Sequence, residues 1–124
     1  MKAVSFVLAA AVVIAAGPAL AAPATSCFRM SQMHNHTVVD PNTLYVAVGQ
    51  KDVWRISMSN ACLTAKWSTD PLITRTVGGS DMVCRPLDLD LKVGGTGGLS
   101  PCIISKIEKL TPAEVAAIPK KLRP

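Results

Sequence analysis

The chain has 124 residues, enough for one small domain, and a formal charge of +5. Only 4% of it is aromatic, and its cations are scattered rather than laid in a stripe interleaved with aromatics, which excludes the usual nucleic-acid footprint. With four cysteines and few large core-filling side chains, a fold held by cross-links is expected.

The first residues read as a leader. Lys2 precedes an apolar run from Ala3 to Ala16, Gly17-Pro18 breaks it, and Ala19-Leu20-Ala21 supplies small residues at a cleavage position. That order is the one of a secretory signal peptide, expected to span 1–21 and to be cut after Ala21. The run falls short of the ~20 residues of a membrane-spanning helix, so no transmembrane segment is expected in the mature chain. Ala24-Thr25-Ser26 ahead of Cys27 does not form a lipid-attachment motif. Export leads to the periplasm or the medium, where Cys27, Cys62, Cys84 and Cys102 are expected to be oxidised. Residues 22–26 then form a short extension, 27–119 one domain, and 120–124 a basic tail.

Within the domain, weak strand patterns occur at Cys27–Met30, Thr37–Val39 and Leu72–Val77. Stronger ones alternate with period two. Leu44, Val46 and Val48 interleave with Tyr45 and Ala47, and Trp54, Ile56 and Met58 interleave with Arg55 and Ser57. Asp40-Pro41-Asn42 predicts a tight turn before the first, and Gly49-Gln50-Lys51-Asp52 a hairpin loop between the two. Leu87, Leu89, Leu91 and Val93 alternate with Asp88, Asp90 and Lys92, predicting a half-buried strand. Gly94–Gly98 follows as a mobile loop, and Cys102–Leu110 as a last strand. Thr111, Pro112 and Glu114 form a capping box with proline at the first helical position, so a short helix is expected up to Pro119. The fold class is therefore mostly β: a small antiparallel barrel or rolled sheet with one short C-terminal helix, stapled by two disulfides.

Four cysteines allow three pairings. Cys62 with Cys84, and Cys27 with Cys102, is the preferred one, because it would close a barrel at its seam. The absence of any C-x-x-C argues against a redox or zinc cluster. An exported chain with Cys27, Val38-Val39-Asp40, Thr43-Leu44-Tyr45-Val46, Cys62, Cys84, Cys102-Ile103-Ile104 and the closing Leu110-Thr111-Pro112-Ala113-Glu114-Val115-Ala116-Ala117 resembles a domain-of-unknown-function family of small exported bacterial proteins with four cysteines. The resemblance implies a periplasmic or cell-surface protein and carries no activity or catalytic residue.

Among chemistry-bearing residues, Met30, Met33, His34 and His36 form M-x-x-M-H-x-H. Thioether and imidazole together suit copper, and in a regular strand the two histidines would share a face, about 7 Å apart at the backbone. Against this, methionines commonly fill cores. Asp88 and Asp90 are a candidate acid–base pair with Asp81 nearby, but they occupy the polar side of an amphipathic strand. Ser80 lacks the glycine of a nucleophile elbow, and Gly94–Gly98 lacks the helix and Lys-Ser/Thr of a phosphate loop. The expectation is a non-enzymatic binding or structural module without a required cofactor. Its partner would be an envelope protein, polysaccharide or membrane surface, met by sheet edges and the basic tail; copper binding is the alternative.

Overall fold

The computed structural model describes residues 26–63, 71–95 and 97–124; the leader expected at 1–21 lies outside them. Among the described residues, nine strands form three antiparallel sheets: β1 (Phe28–Arg29), β2 (Met33–Asp40), β3 (Thr43–Val48), β4 (Asp52–Met58), β5 (Leu72–Thr76), β6 (Met82–Val83), β7 (Leu89–Gly95), β8 (Gly98–Cys102) and β9 (Ile104–Lys109). The spatial orders are β2-β3-β4-β9, β5-β7-β8 and β1-β6. The sheets do not close into a barrel; of the two expected architectures, the rolled sheet is the one this topology allows.

The central hairpin follows its sequence. Leu44, Val46 and Val48 on β3 and Trp54, Ile56 and Met58 on β4 are all buried on one face, as period two requires. Gly49 takes φ +62° in the connection, a left-handed conformation that favours glycine. Ahead of β3, the Asn42 amide donates to the Asp40 carboxylate at 2.8 Å, and the Asn42 side chain donates to the Met58 carbonyl at 3.2 Å. That is an Asx turn pinned to the neighbouring strand.

The core lies between the four-stranded sheet and the other two. Leu89, Leu91 and Val93 come from β7, and Phe28 and Val83 from the β1–β6 pair. Phe28 and Trp54 meet with ring centroids 5.0 Å apart, so two of the few aromatics are spent on one contact. Among the described residues, the Trp54 indole N–H is buried without a hydrogen-bond partner.

The structure departs from the sequence expectations at several points. First, the strand expected from Leu87 begins at Leu89. Residues Pro86–Asp88 make a 3-10 turn, and Leu87 is 80% exposed. Proline fixes φ and lacks an N–H, while the Asp88 carboxylate accepts from the Cys84 and Arg85 amides at 3.0 and 2.9 Å. Local capping beats alternation. Second, the expected loop Gly94–Gly98 is largely strand: β7 runs to Gly95 and β8 starts at Gly98. Gly94 donates to the Pro71 carbonyl at 2.9 Å, and a Cβ on it would stand 2.7 Å from the Pro71 ring, so glycine is required by close approach. The segment expected as one strand from Cys102 likewise divides at Ile103. There the chain passes from the three-stranded to the four-stranded sheet, and the Ile103 amide and carbonyl bond Asn60 and Ser59 instead of a ladder neighbour.

Third, the disulfides are Cys27–Cys84 and Cys62–Cys102, not Cys62–Cys84 with Cys27–Cys102. The expected pairing assumed that the first strand meets the last. Instead β1 pairs with β6, Phe28 opposite Val83, which sets Cys27 beside Cys84. Cys62 then meets Cys102 at the sheet crossing, with the Met58 sulfur 3.2 Å from the Cys62 sulfur.

Helix α1 (Pro112–Ala117) has its expected cap. Glu114 N–H donates to the Thr111 hydroxyl at 3.2 Å, and Thr111 N–H to the Glu114 carboxylate at 2.7 Å. Val115 and Ile118 pack with Tyr45, Val53 and Leu110 on the outer face of the four-stranded sheet. The basic end, expected as a tail, continues this layer. Lys120–Leu122 form a 3-10 turn, Leu122 joins the same cluster, and Arg123 donates to the Ile118 and Ala116 carbonyls, each at 3.0 Å. A cation on the last carbonyls of a helix is a C-terminal cap.

Candidate binding groove

The C-terminal layer leaves a groove at one end of the four-stranded sheet. Its floor is apolar, made by Leu110 at the exit of β9 and by Pro112, Val115 and Ala116 of α1. Its rim is charged: Lys51 from the β3–β4 turn, Asp52 at the start of β4, Lys109 from β9, and Arg123. The cavity measures about 500 Å³, within the range of ligand pockets (~300–1,000 Å³). A smaller hollow of about 230 Å³ shares Leu110 with it and is lined also by Tyr45, Arg55, Glu114 and Ile118.

Each side of the groove is placed by backbone constraint. Gly49 turns the hairpin that presents Lys51, the Leu110 amide donates to the Val53 carbonyl at 2.9 Å, and the capping box aims α1 across the sheet. Lys109 and Asp52 pair at 2.7 Å, whereas Lys51 has no ion pair among the described residues. Farther along β9, Glu108 holds both Arg55, at 2.9 Å, and Lys106. The Lys106 bond chiefly keeps the Glu108 carboxyl below its ordinary value, and the Glu108 bond raises the Arg55 guanidinium. Those charges are mutually satisfied. At the groove, Lys51 and Arg123 have no carboxylate partner among the described residues.

The Met/His segment is arranged differently from the regular strand that was expected. Met30 and Met33 are half-buried and pack against the core, while His34 and His36 are exposed. Pairing runs Met33 to Val48, then Asn35 to Ala47 and His36 to Val46, so the register shifts at His34 and the alternation that would align the two histidines is interrupted. His34 Nε2 lies 2.6 Å from the Gly49 carbonyl oxygen; a carbonyl only accepts, so this ring nitrogen donates. Among the described residues no group of three His, Cys, Asp or Glu side chains could hold a metal ion.

The three aspartates also separate. Asp81 accepts from the Ser31 hydroxyl at 2.6 Å and the Ser31 amide at 3.0 Å, Asp88 caps the turn after Cys84, and Asp90 pairs with Lys92 at 3.0 Å. The Ser80 hydroxyl accepts from the Met82 amide at 3.1 Å. Hydrogen bonds from Ser31 lower the Asp81 carboxyl, and the Cys84 amide, with Arg85, lowers Asp88. Folded values below the unfolded ones mean stabilisation that is complete above the unfolded value and lost as pH falls through the folded one. The melting temperature is therefore expected to be level down to about pH 5 and to drop from about pH 4 downward. Asp88→Asn should flatten part of that drop in thermal melts; an unchanged acid slope would exclude the carboxylate as its source.

Sequence patterning did not reveal the groove, because Lys51, Lys109 and Arg123 are far apart in the chain. The nearest signal was the capping box, which announces a helix with one apolar face in need of a sheet. No curated protein and no solved structure matches the chain. The resemblance noted in the cysteine spacing and short apolar motifs is supported by a match over residues 1–124 to the family model described as a family of unknown function, DUF6491, and the chain belongs to that family.

Proposed function

We propose that the protein is an exported, non-catalytic binding module of the periplasm or cell envelope, and that the groove beside α1 is its ligand site. The observation that carries this reading is the combination of an apolar floor with unneutralised cations at the mouth, the ordinary composition of a small-molecule site. Export is supported by the leader pattern of residues 1–21 and by two disulfides, which persist in oxidising compartments. No helix among the described residues is long and apolar enough to cross a membrane.

Two measurements test it together. After bacterial expression of the full chain, fractionation and peptide mapping should find a processed, fully oxidised protein beginning at Ala22 outside the cytoplasm. A neutral apolar dye, N-phenylnaphthylamine, should brighten with that protein and not with Ala116→Trp, whose added ring would fill the groove. Free thiols in a cytoplasmic protein would overturn export, and equal dye binding by both proteins would overturn the site.

Copper binding by His34 and His36 with Met30 or Met33 is the second reading. It rests on His36, exposed and with no side-chain hydrogen bond among the described residues, two positions from the equally exposed His34. In native mass spectrometry it requires one copper ion bound by the wild type and lost in His34→Ala/His36→Ala.

A further inference from the structure

We infer that the groove selects a single-chain anionic amphiphile: one acyl tail on the floor, one ionised head at the mouth. This rests on the groove being a ligand site and adds the chemistry of its occupant. The floor of Leu110, Pro112, Val115 and Ala116 offers apolar area and no charge, so it rewards a hydrocarbon and gives a small hydrophilic anion little. The mouth holds three cations against one carboxylate. Lys109 is neutralised by Asp52 at 2.7 Å. Arg123 donates to two neutral carbonyls and so keeps its full charge, and Lys51 has no counterion among the described residues. A neutral amphiphile would fill the floor and leave these two charges unanswered. An anionic head answers them.

The hollow of about 500 Å³ suits one tail better than a bilayer surface, since it is a groove and not a flat apolar face. The occupant is therefore a free amphiphile such as a fatty acid. A lipid still held in a membrane is the competing source.

The test titrates the mature, oxidised protein with decanoate, with the neutral decyl maltoside, and with vesicles of anionic phospholipid, reading amide chemical shifts. Decanoate is expected to shift Lys51, Lys109 to Ala116 and Arg123, and to bind at least about fivefold more tightly than the maltoside. Raised salt should erode that margin. Lys51→Glu should remove most of the preference for decanoate over the maltoside, and Ala116→Trp should abolish binding of both; unchanged shifts elsewhere show that each variant is folded. Equal binding of decanoate and maltoside would overturn the anion selectivity and leave the groove as a neutral site. Binding of neither would overturn the groove as a site altogether. Binding to vesicles without decanoate would overturn the free amphiphile in favour of a membrane surface.

Discussion

Replacing Cys62 and Cys102 together by alanine is expected to cost about 4 kcal/mol of stability, read as a lower urea midpoint. The cross-link spans 40 residues, and closing a loop of that size in the unfolded chain accounts for most of the figure. Location adds to it. Both cysteines are buried in the main core, Met58 packs on the sulfur, and the bridge sits where the chain leaves β8 for β9. The Ser59 and Asn60 contacts to Ile103 fasten that crossing by hydrogen bonds alone once the bridge is gone. Small domains hold ~5–15 kcal/mol in total, so the variant would lose a large share of its stability. The Cys27–Cys84 bridge spans 57 residues, which by loop closure alone should make its removal at least as costly. It staples strands of only two residues each, however, and both its cysteines are only partly buried. Its loss should therefore release the β1–β6 edge first, seen as hydrogen exchange confined to residues 28–31 and 81–84. A loss below about 1 kcal/mol for Cys62→Ala/Cys102→Ala would mean that the apolar contacts of the two large sheets hold the crossing unaided.

What the sequence revealed depended on how local the cause was. The β3–β4 hairpin, the Asp40–Asn42 turn and the Thr111–Glu114 cap were legible because each arises from residues within a few positions of one another. Alternation failed at Leu87, where Pro86 and the Asp88 carboxylate impose a turn on residues that would fit a strand, and at Ile103, where a continuous apolar run hides a change of sheet. The disulfide pairing was not legible, because it depends on β1 choosing β6, a contact between two-residue strands with almost no pattern. The Met/His segment shows the same limit: a one-residue register shift in β2, invisible in composition, interrupts the regular alternation at His34. The groove is the most distant case. It exists only because a docked C-terminal layer carries Arg123 back toward the turn that holds Lys51.

Ile56→Ala is expected to cost about 3–4 kcal/mol, whereas Leu87→Ala should stay within ~0.5 kcal/mol of wild type. The two residues look alike in sequence, each an aliphatic position in an alternating run. Ile56 is fully buried at the centre of the four-stranded sheet, opposite Leu44 on one side and Ile107 on the other. Truncation there removes buried methylenes and leaves a cavity, since neighbours held in two strand ladders cannot collapse into it. Leu87 stands in solvent on the 3-10 turn and loses nothing of that kind. Urea unfolding of the two variants side by side separates burial from pattern. A large loss at Leu87 would require that side chain to be covered in solution, which would make the exposed turn after Cys84 an interface. A small loss at Ile56 would require the sheets to repack around the gap, and the main core would then be softer than its burial implies.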